Sequence, residues 1–199
     1  MMYQTKYNQS GFSLVETLVA VTILLIVITG PLTLVSNSAR STNFANDQVM
    51  AFFLAQEGLE IVQSVRDDLL IPEFDVAPPG TNAWDEFTNT AAAGVLQECF
   101  NGGCGLDLDT NADGDQNMYD CRTNTTNCQI YFNSTDNERA AYTHSASGNT
   151  STRYTRVITM DETSTGQVKV VSTVTWRSDG QRATQQVQTV TYLFDVYGR

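Results

Sequence analysis

Hydrophobic and polar positions follow three different rhythms along this 199-residue chain. From Phe12 to Val35 nearly every position is apolar or small, and Glu16 is the only formal charge. A helix over that run is about 36 Å long, enough to cross a hydrocarbon core of about 30 Å. Further on, Phe52, Ala55, Leu59, Val62 and Leu69 recur at helical spacing, with Gln56, Glu60, Gln63 and Asp67 between them. That is an amphipathic stripe, and Pro72 stops it soon after Leu70. Residues 12–70 therefore read as one helix of about 88 Å. Gly30-Pro31 should kink or locally melt it, because proline lacks an N–H and clashes with the preceding turn.

The last third changes period from helix to strand. Arg153–Met160 is rich in Thr, Val, Ile and Tyr; Val168, Val170, Val174 and Trp176 fall on alternate positions, as do Val190, Tyr192 and Phe194. Turn residues lie between these runs, over Asp161–Gln167 and over Ser178-Asp179-Gly180-Gln181. The pattern predicts a three-stranded antiparallel meander over 153–199 whose apolar face covers the helical stripe at 52–69. The fold class is thus α+β, a long N-terminal helix packed on a small antiparallel sheet. Its segments are an apolar span at 12–35, an amphipathic continuation at 36–71, a loop region at 72–152 and the meander. The Ser/Thr/Asn-rich stretch 133–152 reads as exposed loop.

A carboxylate inside a membrane span costs about 2.5–3.5 kcal/mol, so Glu16 needs a positive companion. No nearby side chain supplies one. Cutting the chain after Gly11 would, by making Phe12 a new amino terminus. The run Gly11-Phe12-Ser13-Leu14-Val15-Glu16 resembles the prepilin cleavage and methylation motif of type IV pilins and type II secretion pseudopilins. The resemblance implies a leader over 1–11, removed by a membrane prepilin peptidase, and methylation of Phe12. It also implies that Glu16 pairs with the terminal amine of a neighbouring pilin or pseudopilin subunit during assembly. A secretory signal peptide has its cleavage site after the apolar core; here the Gly–Phe junction precedes it, so the apolar segment is retained in lipid. As a plain helix residue Glu16 is a first-turn acid facing the positive end of the dipole. It shares a face with Phe12 four positions earlier. The segment Ala55-Gln56-Glu57-Gly58-Leu59-Glu60 looks like the same region of minor pilins. The pilin-like fold that follows has a helix half in the membrane and half packed on a domain. The expected protein is a single-pass inner-membrane subunit, its C-terminal domain outside the cytoplasm, entering a pilus or pseudopilus. A pilus-borne adhesin, contacting its target through residues 81–150, is the alternative.

Charge and composition narrow the partners. Lys6 is the sole basic residue before the span and Arg40 the first after it, a slight positive-inside bias. The formal net charge of −11 excludes nucleic-acid binding driven by overall charge, since phosphate contacts need lysine and arginine. Four cysteines, Cys99, Cys104, Cys121 and Cys128, form an even set in one segment and fit an oxidising compartment. Local pairing of Cys99 with Cys104 and of Cys121 with Cys128 is favoured, while a nested arrangement stays open. A four-cysteine zinc site is disfavoured because six residues separate the second pair.

The cysteines flank Asp109-Thr110-Asn111-Ala112-Asp113-Gly114-Asp115-Gln116-Asn117-Met118-Tyr119-Asp120. Oxygen side chains at positions one, three and five, glycine at six and an acid at twelve fit a calcium loop. The candidate Ca2+ donors are Asp109, Asn111, Asp113, Asp115, Asn117 and Asp120. The triplets Asn124-Thr125-Thr126 and Asn149-Thr150-Ser151 match the glycosylation pattern. Catalysis has no support: His144 is the only histidine, its loop position reads as solvated, and no nucleophile, base and orienting group recur together.

Overall fold

The structure, a computed structural model, describes residues 11, 13–71, 83–88, 96–110, 116–133, 142–178 and 183–196. The chain is α+β: a long N-terminal helix packs on an antiparallel sheet. Two compact units divide it, Met1–Ala45 and Asn46–Arg199. Helix α1, Leu14–Leu70, belongs to both.

In the first unit α1 is exposed except at half-buried Phe44. Its threonines point no hydroxyl outward unpaired. Thr17, Thr22 and Thr33 each donate Oγ1 to the carbonyl three residues back, at 2.8, 2.8 and 2.7 Å. Internal bonding of this kind lets a hydroxyl sit in an apolar medium. The helix passes through Gly30-Pro31 without a break in its assignment, so the local melting expected there does not occur. The proline costs one backbone bond, and the aliphatic run on either side retains the rest.

In the second unit α1 buries Ala51, Leu54, Ala55, Gly58, Leu59, Ile61, Val62 and Val65. Of the expected stripe, Ala55, Leu59 and Val62 are buried and Leu69 packs against the core, but Phe52 departs from it. Phe52 is 47% exposed and Ala51 is fully buried. One residue is about 100° around a helix, so small Ala51 meets the sheet and bulky Phe52 falls on the flank. The exposed side carries an i,i+4 pair, Gln56 Nε2 donating to Glu60 Oε1 at 3.0 Å.

Among the described residues seven strands form one sheet. They are β1 (Cys104–Thr110), β2 (Gln116–Asp120), β3 (Gln129–Phe132), β4 (Tyr142–Thr143), β5 (Thr150–Ser164), β6 (Gln167–Trp176) and β7 (Gln185–Phe194). Short helices α2 (Ala83–Thr88) and α3 (Gln97–Phe100) precede them. The β5–β6–β7 meander is present, all pairs antiparallel. The other edge of β5 pairs with β3 near Thr150–Thr155 and with β1 at Ile158. Much of the stretch read as loop over 72–152 is therefore sheet. Its strands are short and lack a long period, so only the template of β5 reveals them.

Two details of the meander depart from expectation. The turn at 161–167 narrows to Thr165-Gly166, with Gly166 at φ 78°. Asp161 lies opposite Lys169 and Glu162 opposite Val168, so ladder bonds extend the strand through residues with turn propensity. In β7 the alternating residues Val190, Tyr192 and Phe194 are 48%, 47% and 52% exposed, while Leu193 is in the core. Register decides this. Leu193 stands opposite buried Val168, and Val187 opposite buried Val174, which sends the even positions to the outer face. The core gathers Leu59 and Val62 of α1, Phe87 of α2, Leu106 of β1, Ile158 of β5 and Val170 of β6.

Candidate functional site

Helix α1 starts one residue after Ser13, whose carbonyl accepts the Thr17 amide at 3.1 Å. Gly11 is exposed, and Phe12 lies outside the described residues, as do residues 1–10. Glu16 falls in the first helical turn, where the unpaired amides of the helix end attract a negative charge. Around it the surface is apolar: Leu14 is 77% and Val15 68% exposed. The helix is long and apolar enough to cross a membrane by length and composition. Exposed aliphatic side chains over several turns need an apolar medium or a helical partner.

Residues 6–30 match the family model of the prokaryotic N-terminal methylation motif. The chain carries a prepilin-type N terminus. No curated protein and no solved structure matches the chain. The matched segment runs into the exposed apolar helix, the one helix among the described residues long and apolar enough to span a membrane.

The remaining site residues lie in the second unit. The twelve-residue candidate loop is part of a β-hairpin. Thr110 pairs with Gln116, and Cys104 with Asp120. The four residue steps from Gln116 to Asp120 span about 13 Å, which takes Asp120 away from Gln116 and its partner Thr110. Its carboxylate accepts instead from the Arg122 amide at 2.8 Å and from Thr123 Oγ1 at 3.1 Å. The Arg122 amide, with Thr123 and the Arg122 charge, holds Asp120 below the usual carboxylate range, against a smaller opposing effect of burial. Asp120 is thus engaged at the end of β2 with Arg122 and Thr123. Asn117 is half-buried on β2. Asn111, Asp113 and Asp115 lie outside the described residues, as does the side chain of Asp109. Among the described residues no cluster of His, Cys, Asp or Glu is placed to hold a metal ion.

The cysteines pair locally, Cys99 with Cys104 and Cys121 with Cys128, and none is free. No thiolate is left for zinc. The first bridge ties α3 to β1; the second closes the loop between β2 and β3. Gly103, at φ 132° and buried, allows the turn into β1, where the Cys121 amide donates to its carbonyl at 3.1 Å.

His144 is not solvated. It is 4% exposed, beside Asp107 at 2%. Asp107 accepts from Thr143 Oγ1 at 2.7 Å and from the His144 amide at 2.8 Å, and its Oδ1 lies 2.6 Å from His144 Nδ1. Burial pulls the imidazole below its ordinary pKa. The Asp107 contact opposes that, and the Arg156 charge adds to it. Burial pushes Asp107 upward, but the hydrogen bonds and charge of His144, with the Thr143 bond, outweigh it and hold the carboxyl below its ordinary value. The pair is therefore neutral imidazole and carboxylate at neutral pH. A carboxylate only accepts, so Nδ1 carries the proton. Nε2 is buried without a partner among the described residues. It lies against Gly105, where a Cβ would come within 2.8 Å.

Two further clusters fix α1 to the sheet. Arg156, 1% exposed, donates to the Leu54 carbonyl at 3.2 Å, to Glu57 Oε2 at 2.8 Å and to the Leu106 carbonyl at 2.7 Å. One guanidinium thus joins α1, β5 and β1. Asp47 accepts from Ser178 Oγ at 2.6 Å, Arg153 Nη1 at 3.1 Å and the Tyr154 hydroxyl at 3.2 Å. Burial and then Asp47 push the Tyr154 phenol up to about 12. Sequence reasoning missed these groups. For Arg156 a signal existed: it shares strand phase with Tyr154 and Ile158, inward positions of an apolar alternation.

Proposed function

We propose that this chain is a minor structural subunit of a type IV pilus or a type II secretion pseudopilus. Prepilin peptidase cuts between Gly11 and Phe12 and methylates the new terminus. The mature helix sits in the inner membrane with the sheet domain outside the cytoplasm, then leaves the lipid to pack against other subunits. The observation that carries this is the Gly–Phe junction directly ahead of a membrane-length apolar helix with a single acid, Glu16, in its first turn. The amine made at Phe12 is one helical turn from Glu16, so the two neutralise each other, first within a subunit and then between neighbours. The disulfides support an extracytoplasmic domain. Assignment to a minor position rests on the elaborate middle region, where seven short elements lie among the described residues of 83–143.

Calcium at the β1–β2 turn belongs to the same reading. The donors are Asp109, Asn111, Asp113 and Asp115, supported by their alternate spacing on either side of Gly114 and by carboxylates that repel one another without a cation.

Mass spectrometry of the mature amino terminus tests the proposal. The expected species begins at N-methylated Phe12 and retains the apolar segment. An intact Met1 on the filament-incorporated protein would overturn it.

A further inference from the structure

The loop closed by Cys121–Cys128 contains the triplet Asn124-Thr125-Thr126. We infer that Asn124 is a site of N-glycosylation, accepting an oligosaccharide from a polyprenyl-diphosphate donor. The inference rests on the reading that places the sheet domain outside the cytoplasm.

Asn124 is exposed, with an extended backbone at φ −149° and ψ 105°. Its Oδ1 accepts from the Thr126 amide at 3.0 Å and from Thr126 Oγ1 at 2.6 Å. The side chain is thus folded into an Asx-turn over the third residue of its own triplet. Two donors on Oδ1 draw electron density from the amide and favour the imidic form, in which nitrogen presents a lone pair. Among the described residues nothing accepts from Asn124 Nδ2. In the transfer Nδ2 attacks the anomeric carbon of the donor. A C–N bond forms, and the bond from that carbon to the diphosphate oxygen breaks. The lipid diphosphate leaves with the electron pair, and the nitrogen's proton passes to a base of the transferase.

The triplet Asn149-Thr150-Ser151 is built differently. Asn149 is half-buried and its Nδ2 donates to the Ser145 carbonyl at 2.9 Å. Thr150 and Ser151 are already in β5, paired with Phe132 and Tyr131. Transfer there would break a bond and part a ladder. A further triplet, Asn133-Ser134-Thr135, runs beyond the described residues.

The test is glycopeptide mass spectrometry on the full chain from its native host, with the amino terminus sequenced in the same sample. The tryptic peptide 123–139 should carry a sugar increment on Asn124. The increment should vanish in Asn124→Gln and Thr126→Val, and persist in Thr126→Ser and Asn149→Gln. A bare peptide 123–139, or sugar confined to Asn133 or Asn149, overturns the inference. A cut amino terminus with a bare Asn124 sinks this inference and leaves the pilin reading standing. An uncut amino terminus sinks the pilin reading itself.

Discussion

His144 keeps its proton on Nδ1 for Asp107 and leaves a bare lone pair on Nε2, sealed against Gly105. That arrangement makes the domain acid-sensitive in a calculable direction. The folded imidazole has a lowered pKa, so its contribution to stability is present above the unfolded value of about 6.5 and is lost as pH falls below it. Asp107, also lowered, adds a second loss only below its own unfolded value, 3.8. The groups facing the ring or its carboxylate are Thr143, Tyr119 of β2 and Arg156 of β5. Of these only Arg156 is charged, and its repulsion acts with burial. Thermal unfolding of the detergent-solubilised chain should lose up to about 1.4 kcal/mol per pH unit between pH 6 and 5. In His144→Asn, which keeps a short amide donor for Asp107, that slope should flatten. An unchanged slope in the variant would assign the acid sensitivity elsewhere. The buried state of His144 was not legible in its neighbours, which are Thr, Ser and Ala. Its burial depends on Asp107 and Gly105, nearly forty positions earlier, and on a strand pairing that brings the two segments together.

At the scale of elements, the decisive contact is where α1 lies on β5 and β6. Gly58 permits it. A Cβ there would meet Ser172 Oγ at 2.7 Å, Arg156 Cδ at 3.1 Å and Ile158 Cδ1 at 3.2 Å. Helix propensity alone favours Gly58→Ala by about 1 kcal/mol. Overpacking a fitted core costs about 1–3 kcal/mol. Because all three contacts are with deeply buried side chains, the packing penalty should win, and the variant should unfold at lower temperature or denaturant. Ser172→Ala removes the closest clashing atom, a hydroxyl with no partner among the described residues, so the double variant should recover much of the loss. Calorimetry of the single and double variants checks the coupling. The helix and the three long strands were legible because each repeats its period over ten residues or more. The face of β7 was not. Val190, Tyr192 and Phe194 are its more hydrophobic alternate set, yet the register with β6 turns them outward. A period of two names two faces without saying which is inside.

Across the whole molecule, the part that matches a known motif is local and linear, and the rest is tertiary. A cleavage junction, an apolar span and one acid are readable from consecutive residues. The calcium loop was read the same way, and its acid at position twelve, Asp120, lies on a strand opposite Cys104. Calcium, if seated by Asp109, Asn111, Asp113 and Asp115, should stabilise the domain by about 1.4 kcal/mol at a tenfold excess over its Kd. Adding a chelator should lower the melting temperature, Asp113→Ala should abolish that shift, and Asp120→Asn should leave it in place. A chelator without effect removes calcium from the account. Glu16 provides the corresponding test of assembly. Cleavage requires the junction, not the acid, so Glu16→Ala should still yield a methylated Phe12. Its charge matters only when apolar helices exchange lipid for one another and the terminal amine must be matched. A lone ammonium in that setting costs about as much as the lone carboxylate it replaces, about 2.5–3.5 kcal/mol, enough to lower incorporation by two orders of magnitude in an equilibrium contest with the native chain. Immunoblots of the membrane and sheared-filament fractions should show mature variant accumulating in the first and missing from the second. Wild-type filament levels would mean that helix packing alone sets the register and that Glu16 serves only the first turn.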